Sequence, residues 1–274
     1  MEKDFWVCLV LDALYNRLPE GHPKLLFKGG TSLSKVFGLI KRFSEDIDLV
    51  VFRDDLGFEG ESDPITARNL TNRKRAALFG KLKSACGSYV RGELKTALSR
   101  RIEAGARSAL DPNLTRTINP FIADEVRDLS LAVENIRVIA PDRTLWEKLL
   151  ILHGLYCGYR DAQRLPADRD RISRHYYDVA MITETESGRA ALSNLDLMDS
   201  VRKHNLIAFR QAWKKFEEAV PGRVKLVPQL ELHMLIERDY EAMQDMILGD
   251  VPNFRWIVDQ LMHAEAIVNG STRS

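Results

Sequence analysis

The chain has 274 residues, enough for one large domain or two small ones. Hydrophobic residues make up 45% and charged residues 29%, as in an ordinary folded protein. Its three cysteines lie far apart, which argues against a disulfide framework or a cysteine metal site and favours a reducing cytoplasm. No stretch approaches the roughly 20 apolar residues of a membrane helix, so we expect a cytoplasmic protein without membrane contact.

The apolar residues between Phe5 and Leu18 recur at helical spacing. Because Lys3, Asp4 and Asp12 bracket the apolar run, the pattern predicts an amphipathic packing helix and not a signal peptide.

Further along, the pattern predicts strands and helices in the N-terminal half and helices alone in the C-terminal half. In the first half we expect strands over 25–27, 46–52, 98–104 and 135–140, and helices from residue 31 and over 66–85. In the second half we expect helices over 144–158, 172–183, 196–219, 228–247 and 251–268. The Pro-Asp pair at 141–142 marks a boundary, so we expect two domains, 1–140 and 141–274.

Two glycines separate the first strand from the next helix. Gly29 and Gly30 permit a tight bend and a close approach of the backbone to a ligand. The helix start offers free N–H groups and a positive dipole end, which suit a phosphate. Thr31 or Ser32 caps the helix or binds a phosphate oxygen, and Lys35 lies one turn further on. A plain turn with an exposed lysine has the same sequence, so this pattern alone is a weak signal.

Two aspartates open the second predicted strand. Because side chains alternate along a strand, Asp46 and Asp48 project to one face while Ile47 points into the core. Neighbouring carboxylates repel each other unless a cation lies between them, and Mg²⁺ accepts carboxylate and phosphate oxygens. A solvated strand end is the commoner interpretation of such a pair. Here, however, the pair follows Gly30 by 16 residues, the length of a turn, a helix and a strand. We therefore expect the glycine turn and the acid pair to meet at one sheet edge.

The segment from Arg68 to Arg107 is strongly basic. It holds eleven basic and two acidic residues, a net charge of +9, whereas the whole chain carries +1 and the remainder therefore −8. This asymmetry favours a polyanionic partner such as RNA, with a solvated helix surface as an alternative of equal weight. The residues that we expect to contact RNA are Arg73, Lys74, Arg75, Lys81 and Lys83.

The C-terminal half contributes two further candidates. Thr144 and Glu147 have the spacing of a capping box, so we expect the first helix there to begin at Thr144. Lys148 then lies on an otherwise apolar face, where a lysine either snorkels to solvent or faces an anion. Arg174 and Asp178 have i, i+4 spacing on a later helix, which favours an ion pair between them.

Four blocks of this sequence resemble the AbiEii/AbiGii-type nucleotidyltransferase toxins, a family that includes the MenT toxins. In chain order they read KGGTSLSK at 28–35, RFSEDIDL at 42–49, RTLWEKL at 143–149 and RHYYDV at 174–179. Each block is weak alone, but the ordered set is fairly specific. The helices after about residue 185 carry no motif that matches.

The resemblance implies an α+β fold, with an N-terminal DNA polymerase β-like nucleotidyltransferase domain built on a mixed sheet and an all-helical C-terminal domain. It implies a bacterial toxin that has a cognate antitoxin protein and uses an NTP with two Mg²⁺ ions. Relatives add nucleotides to the 3′ end of tRNA and thereby block aminoacylation and translation, so tRNA is the implied acceptor.

The resemblance also implies roles for individual residues. Asp46 and Asp48 bind metal, and Glu103, in a segment similar to the family's glutamate-bearing strand, is the third carboxylate. Asp124 and Glu125 are the fallback for that role. The residues implied to hold the NTP are Gly29, Gly30, Thr31, Ser32, Lys35 and Lys148. The implied catalytic set is Asp46, Asp48, Glu103, Lys148 and Asp178, of which Asp178 either orients Lys148 or helps the acceptor hydroxyl to lose its proton.

Other functions remain open from the sequence. The acceptor is alternatively a protein hydroxyl or a small molecule, and a phosphotransferase is a weaker option. A protein of a different class, a non-catalytic nucleotide- or RNA-binding module, could have the same fold. The combined presence of Asp46, Asp48, Glu103 and Lys148 argues against that class.

Overall fold

A computed structural model of the chain describes residues 2–42, 46–95, 103–120, 123, 131–166 and 171–270. The chain forms two compact units: Met1–Phe37 with Ser44–Ala140, and Gly38–Phe43 with Pro141–Ser274. The backbone thus leaves the first unit after Phe37 and re-enters it shortly before the acid pair. The domain limits of 1–140 and 141–274, which omit this excursion, stay a prediction.

The first unit is built on a five-stranded mixed sheet with the order β3-β2-β1-β5-β4. The strands are β1 (Leu25–Lys28), β2 (Asp48–Val51), β3 (Glu103–Gly105), β4 (Asn113–Ile118) and β5 (Val133–Ile139). β1 pairs antiparallel with β2 and parallel with β5, while β2–β3 is parallel and β4–β5 antiparallel. The central position of β1 explains its sequence, since the three residues Leu25, Leu26 and Phe27 are all buried.

The described part of this unit has three helices: α1 (Glu2–Asn16), α2 (Gly29–Lys35) and α3 (Asn72–Tyr89), which continues into a π-helical turn at Val90–Leu94. α1 lies against β5 and buries Leu11 and Leu14 completely. The predicted packing face is partly wrong, because Phe5 and Leu9 are exposed.

The second unit contains six described helices. They are α4 (Pro141–Ala162), α5 (Ser173–Glu184), α6 (Glu186–Leu192), α7 (Leu195–Ala208), α8 (Leu230–Met243) and α9 (Phe254–Val268). α5 is central, since it contacts α4, α6, α8 and α9 and fully buries the run from Tyr176 to Ala180. Asp239 of α8 fixes the start of α5 by accepting hydrogen bonds from the backbone N–H groups of Arg171 and Ser173, at 2.9 and 2.6 Å.

The predicted α+β class is confirmed, and so are most of its elements. β4 was missed because its side chains are mostly exposed or half-buried, so its sequence lacks an apolar alternation. The predicted helix start at Thr144 is wrong: α4 begins three residues earlier at Pro141, a residue that suits the first helical position, and Thr144 is buried. The predicted helix over 196–219 ends at Ala208 and is followed by two short 3₁₀ turns. No described helix is both long and apolar enough to cross a membrane.

Candidate active site

The glycine turn and the acid pair meet at one edge of the sheet in the first unit. Lys28, the last residue of β1, lies directly opposite Asp48, the first residue of β2. Gly29 follows with a φ of 85°, and a Cβ placed on it would overlap Oδ2 of Asp48 and lie 2.9 Å from its Cγ. Only glycine leaves room for the carboxylate here, and only glycine adopts this φ without strain. The expected convergence of turn and acids is therefore confirmed.

The first aspartate of the pair, Asp46, lies just outside the strand, because β2 begins at Asp48 and not at Asp46 as predicted. Asp46 is exposed, Ile47 is buried and Asp48 is half-buried, which preserves the predicted alternation. The hydroxyl of Thr31 donates a hydrogen bond of 2.7 Å to the backbone carbonyl of Asp46. This bond ties α2 directly to the acidic segment.

Three side chains that were predicted to hold phosphates are engaged inside the protein. Besides Thr31, the buried Ser32 hydroxyl donates to the carbonyl of Gly29 at 2.8 Å. The ammonium group of Lys35 forms an ion pair with Asp4 of α1, and both side chains are buried. These contacts hold α2 in place and leave Lys35 committed to Asp4. The three side chains thus position the turn, and their assignment to the NTP phosphates stays a prediction.

The third predicted carboxylate belongs to β3. The parallel pairing of β2 and β3 places Glu103 in register with Asp48, so its backbone neighbours the acid pair. The fallback residues Asp124 and Glu125 lie outside the described residues. Among the side chains that the structure describes, which do not include that of Glu103, no three His, Cys, Asp or Glu residues gather into a metal site.

The second unit buries a network around Asp178, whose carboxylate is fully inaccessible to solvent. The guanidinium of Arg42 donates two parallel hydrogen bonds to it, Nε to Oδ1 at 2.7 Å and Nη2 to Oδ2 at 2.8 Å. The ammonium of Lys148 lies 2.8 Å from Oδ2. The predicted Arg174–Asp178 pair is thus replaced by two partners from other parts of the chain.

Opposing forces set the charge states in this network. Burial disfavours the charge of Asp178, but attraction to Lys148 and Arg42, with hydrogen bonds from both, holds its pKa well below the usual range. Burial lowers the pKa of Lys148, Asp178 counteracts that effect, and Arg42 and Arg174 add to it. Burial, together with the charges of Lys148 and Arg174, keeps the pKa of the neighbouring His175 well below its ordinary value. The two cationic partners therefore keep Asp178 ionised, and one of its oxygens contacts both of them.

The basic helix α3 separates its apolar and charged faces. Phe79, Leu82, Cys86 and Tyr89 are buried, and Asn72–Tyr89 contains no acidic residue. The exposed bases of the predicted RNA-binding set are Arg73, Lys74, Lys81 and Lys83. Arg75 is the exception, because its guanidinium donates to the backbone carbonyls of Pro64 and Ala67. Arg75 therefore fixes the preceding loop.

These features can be set beside known proteins. The family model described as nucleotidyl transferase AbiEii toxin, type IV toxin–antitoxin system, matches residues 12–260. The chain belongs to this family. No curated protein sequence matches this AbiEii-family chain. Among solved structures, MenT4, a nucleotidyltransferase toxin from Mycobacterium tuberculosis H37Rv, aligns with 97% of this chain and 85% of its own, at 15% identity and a TM-score of 0.46.

In this AbiEii-family protein, Arg42 is the contact residue that the sequence interpretation overlooked. It opens the block at 42–49, in which only the aspartates were given roles. No periodicity links it to Asp178, which lies 136 positions later in the chain. The available signal was its place, four residues before Asp46, in a block shared with the family.

The acidic edge of the AbiEii-family chain fits a divalent cation. Two carboxylates flank a buried Ile47, and the missing side chain of Gly29 is the space that the Asp48 carboxylate occupies. Carboxylate oxygens are the protein ligands that Mg²⁺ prefers, and it retains waters or takes phosphate oxygens for its remaining positions. Asp46 and Asp48 are therefore the residues that would hold the metal, with Glu103 as the third candidate.

Proposed function

We propose that this AbiEii-family chain transfers a nucleoside monophosphate from an NTP to the 3′ end of tRNA in a Mg²⁺-dependent reaction that releases pyrophosphate. The consequent block of aminoacylation and translation is its toxic activity, and a cognate antitoxin protein is its partner. The observation that carries the proposal is the close approach of Gly29 to the Asp48 carboxylate, which brings a glycine turn and an acid pair to one sheet edge.

Each residue at this sheet edge has a separate role in the proposed reaction. Asp46 and Asp48, with Glu103, would hold two Mg²⁺ ions, which when bound activate an acceptor hydroxyl and neutralise the triphosphate and the leaving pyrophosphate. Gly29 keeps the Asp48 carboxylate in place by leaving its space free, and Gly30 continues the turn beside it. Thr31 fixes the backbone at Asp46. Preorganised carboxylates of this kind need no rearrangement during the reaction.

Lys148 and Asp178 enter the proposal through their matched sequence blocks at 143–149 and 174–179. Lys148 supplies a positive charge to offset phosphate charge, and Asp178 orients that charge through the bond at 2.8 Å. Because Asp178 is already bonded to two cations, we do not assign it the removal of the acceptor proton.

A single exchange tests the metal assignment. Asp48→Asn removes a charge but keeps the side-chain shape, so transfer of label from NTP to total tRNA should fall at least ~100-fold in Mg²⁺. The matched control is Asp54→Asn, an exposed carboxylate beyond the same strand, which should leave transfer unchanged. Undiminished transfer by Asp48→Asn would refute the metal site, and label appearing only on protein or a small molecule would refute tRNA as acceptor.

The exposed face of α3 is proposed to hold the tRNA backbone. The exposed bases Arg73, Lys74, Lys81 and Lys83 project from a helix without acids, so nothing on that helix competes with phosphates for them. Such contacts contribute affinity and position but no base identity. Arg75 is left out because it already bonds to two carbonyls.

Salt dependence is the sharpest readout for this surface. Arg73→Glu with Lys74→Glu should weaken tRNA binding and lower the slope of log K against log salt by roughly 0.7–0.9 for each lost phosphate contact. The control with the same change of net charge is Lys203→Glu with Arg238→Glu, two exposed bases of the second unit. If the two double variants have equal slopes of log K against log salt, the proposal that α3 binds tRNA is wrong.

A further inference from the structure

We infer that Arg42 is a positioning residue for Lys148: its guanidinium fixes the orientation of the Asp178 carboxylate, and that carboxylate fixes the Lys148 ammonium. The inference rests on the proposed function in one respect, namely that transfer requires Lys148. The contacts themselves are independent of it.

The geometry of the fork is the first support. Two parallel hydrogen bonds from Arg42, at 2.7 and 2.8 Å, occupy one lone pair on each oxygen of Asp178. A carboxylate held at both oxygens cannot rotate, so Oδ2 has a fixed direction. The Lys148 ammonium lies 2.8 Å from that oxygen. Lysine has a flexible four-carbon stem with about 2 kcal/mol of rotamer entropy, and a fixed acceptor selects one of its conformations.

The backbone that carries Arg42 is itself fixed. Residues 38–43 belong to the second unit, and Arg42 forms an isolated antiparallel bridge with Ile247. The carbonyl of Lys41 accepts a hydrogen bond of 2.7 Å from the N–H of Leu248. The guanidinium therefore reaches Asp178 from a rigid support. A lysine at this position would present a point charge and could not hold both oxygens in the same way.

The charges around Lys148 give the inference a distinctive sign. Its ammonium is influenced by Asp178, Arg42 and Arg174, and it lies close enough to His175 to affect that ring. Arg42 opposes the charge on Lys148, whereas Asp178 favours it. Removing Arg42 should therefore raise the pKa of Lys148, and removing Asp178 should lower it. A general loosening of the fold would instead shift that pKa in the same direction in both variants.

The test measures the reactivity of Lys148 in the full chain. A short pulse of an amine-acylating reagent is applied from about pH 6 to about pH 11, and mass spectrometry of the Lys148 peptide gives the pH of half-maximal modification. Relative to the unmodified sequence, Arg42→Met should raise that pH and Asp178→Asn should lower it. Arg53→Met, which disrupts another buried Arg–Asp pair with Asp63, should leave it unchanged.

Arg42→Lys distinguishes the effect of the positive charge at position 42 from the effect of the bidentate hydrogen bonds to Asp178. It keeps the positive charge, so the midpoint of Lys148 modification should stay close to the original, but it loses the fork. Transfer should then show a kcat lowered roughly 10- to 100-fold with little change in the KM for NTP, as expected for a misplaced group. Arg53→Lys is the control and should keep its kcat.

The outcomes of these two measurements either support or overturn the positioning role of Arg42. An unchanged or lowered midpoint in Arg42→Met, or a full kcat in Arg42→Lys, overturns the inference. Should Asp178→Asn fail to fold by circular dichroism, the comparison of Arg42→Met with Arg42→Lys still decides it. If the unmodified chain transfers no nucleotide to any acceptor, the proposed function fails, while the modification midpoints still report whether Arg42 acts on Lys148.

Discussion

Replacing Gly29 by alanine perturbs the candidate site through one methyl group. Gly29 has a φ of 85°, where a residue with a Cβ is strained by about 1–2 kcal/mol. The new Cβ would also overlap Oδ2 of Asp48 and lie 2.9 Å from its Cγ, but 3.2 Å from its Cβ. Rotation of the Asp48 side chain relieves the first two contacts, and a shift of a few tenths of an ångström relieves the third. The free energy of unfolding should therefore fall by little more than the backbone strain, while the carboxylate is driven from its position.

Gly21→Ala is the matched control for this prediction. Gly21 has a φ of 83°, and nothing lies within 4 Å of a Cβ placed there. Urea unfolding should give both variants similar losses of about 1–2 kcal/mol. Transfer of label to tRNA should fall roughly 100-fold or more in Gly29→Ala only.

A second readout tests the same carboxylate without any activity. A ligand at ten times its dissociation constant stabilises the folded state by about 1.4 kcal/mol, so Mg²⁺ should raise the melting temperature of Gly21→Ala and not that of Gly29→Ala. If both variants keep transfer and both respond to Mg²⁺, the Asp48 carboxylate does not depend on the space at Gly29, and our account of this edge is wrong.

Three further predictions concern stability. Lys35→Met should cost about 3–5 kcal/mol in urea unfolding, because it leaves the buried Asp4 carboxylate without its ammonium, and adding Asp4→Asn should recover part of that loss. Burial lowers the pKa of His153 below its ordinary 6.5, so the unfolded chain takes up the proton first: stability should fall as the pH drops below about 6.5, and this slope should be smaller in His153→Gln. Gly188→Ala should prevent folding of the second unit, judged by circular dichroism, because its Cβ would overlap the backbone carbonyl oxygen of Ile182, which cannot move aside as a side chain can.

The acidic edge was predictable from the sequence because it depends on short-range geometry. The interval of 16 residues between Gly30 and Asp46 leaves room for one helix before the chain returns to the sheet at β2. Once β1 and β2 pair as an antiparallel neighbour pair, the turn after Lys28 must lie beside Asp48. Strand alternation then distinguishes the buried Ile47 from the two acids. None of these steps requires knowledge of the rest of the fold.

The roles of individual polar side chains were less predictable, because sequence does not reveal the competing partner. A lysine one turn into α2 is compatible with a phosphate contact, yet Lys35 is buried against Asp4 from a different helix. The hydroxyl of Ser32 suits a phosphate equally well but donates to the carbonyl of Gly29. Buried polar groups must be satisfied, and a nearby backbone carbonyl is available before any ligand arrives.

Asp178 shows the same limit in its strongest form. Spacing favoured Arg174, because residues four apart on a helix are neighbours, and such a pair on an exposed face contributes roughly 0.3–0.5 kcal/mol. A fully buried carboxylate has a different requirement: it must replace every hydrogen bond that it accepted from water, or its charge becomes too costly to keep. Arg42 meets that requirement with a bidentate fork that reaches both oxygens, and Lys148 adds a third bond. The burial of Asp178 therefore determines which residues pair with it. That burial results from the four helices packed around α5, and local spacing along the chain does not reveal this packing.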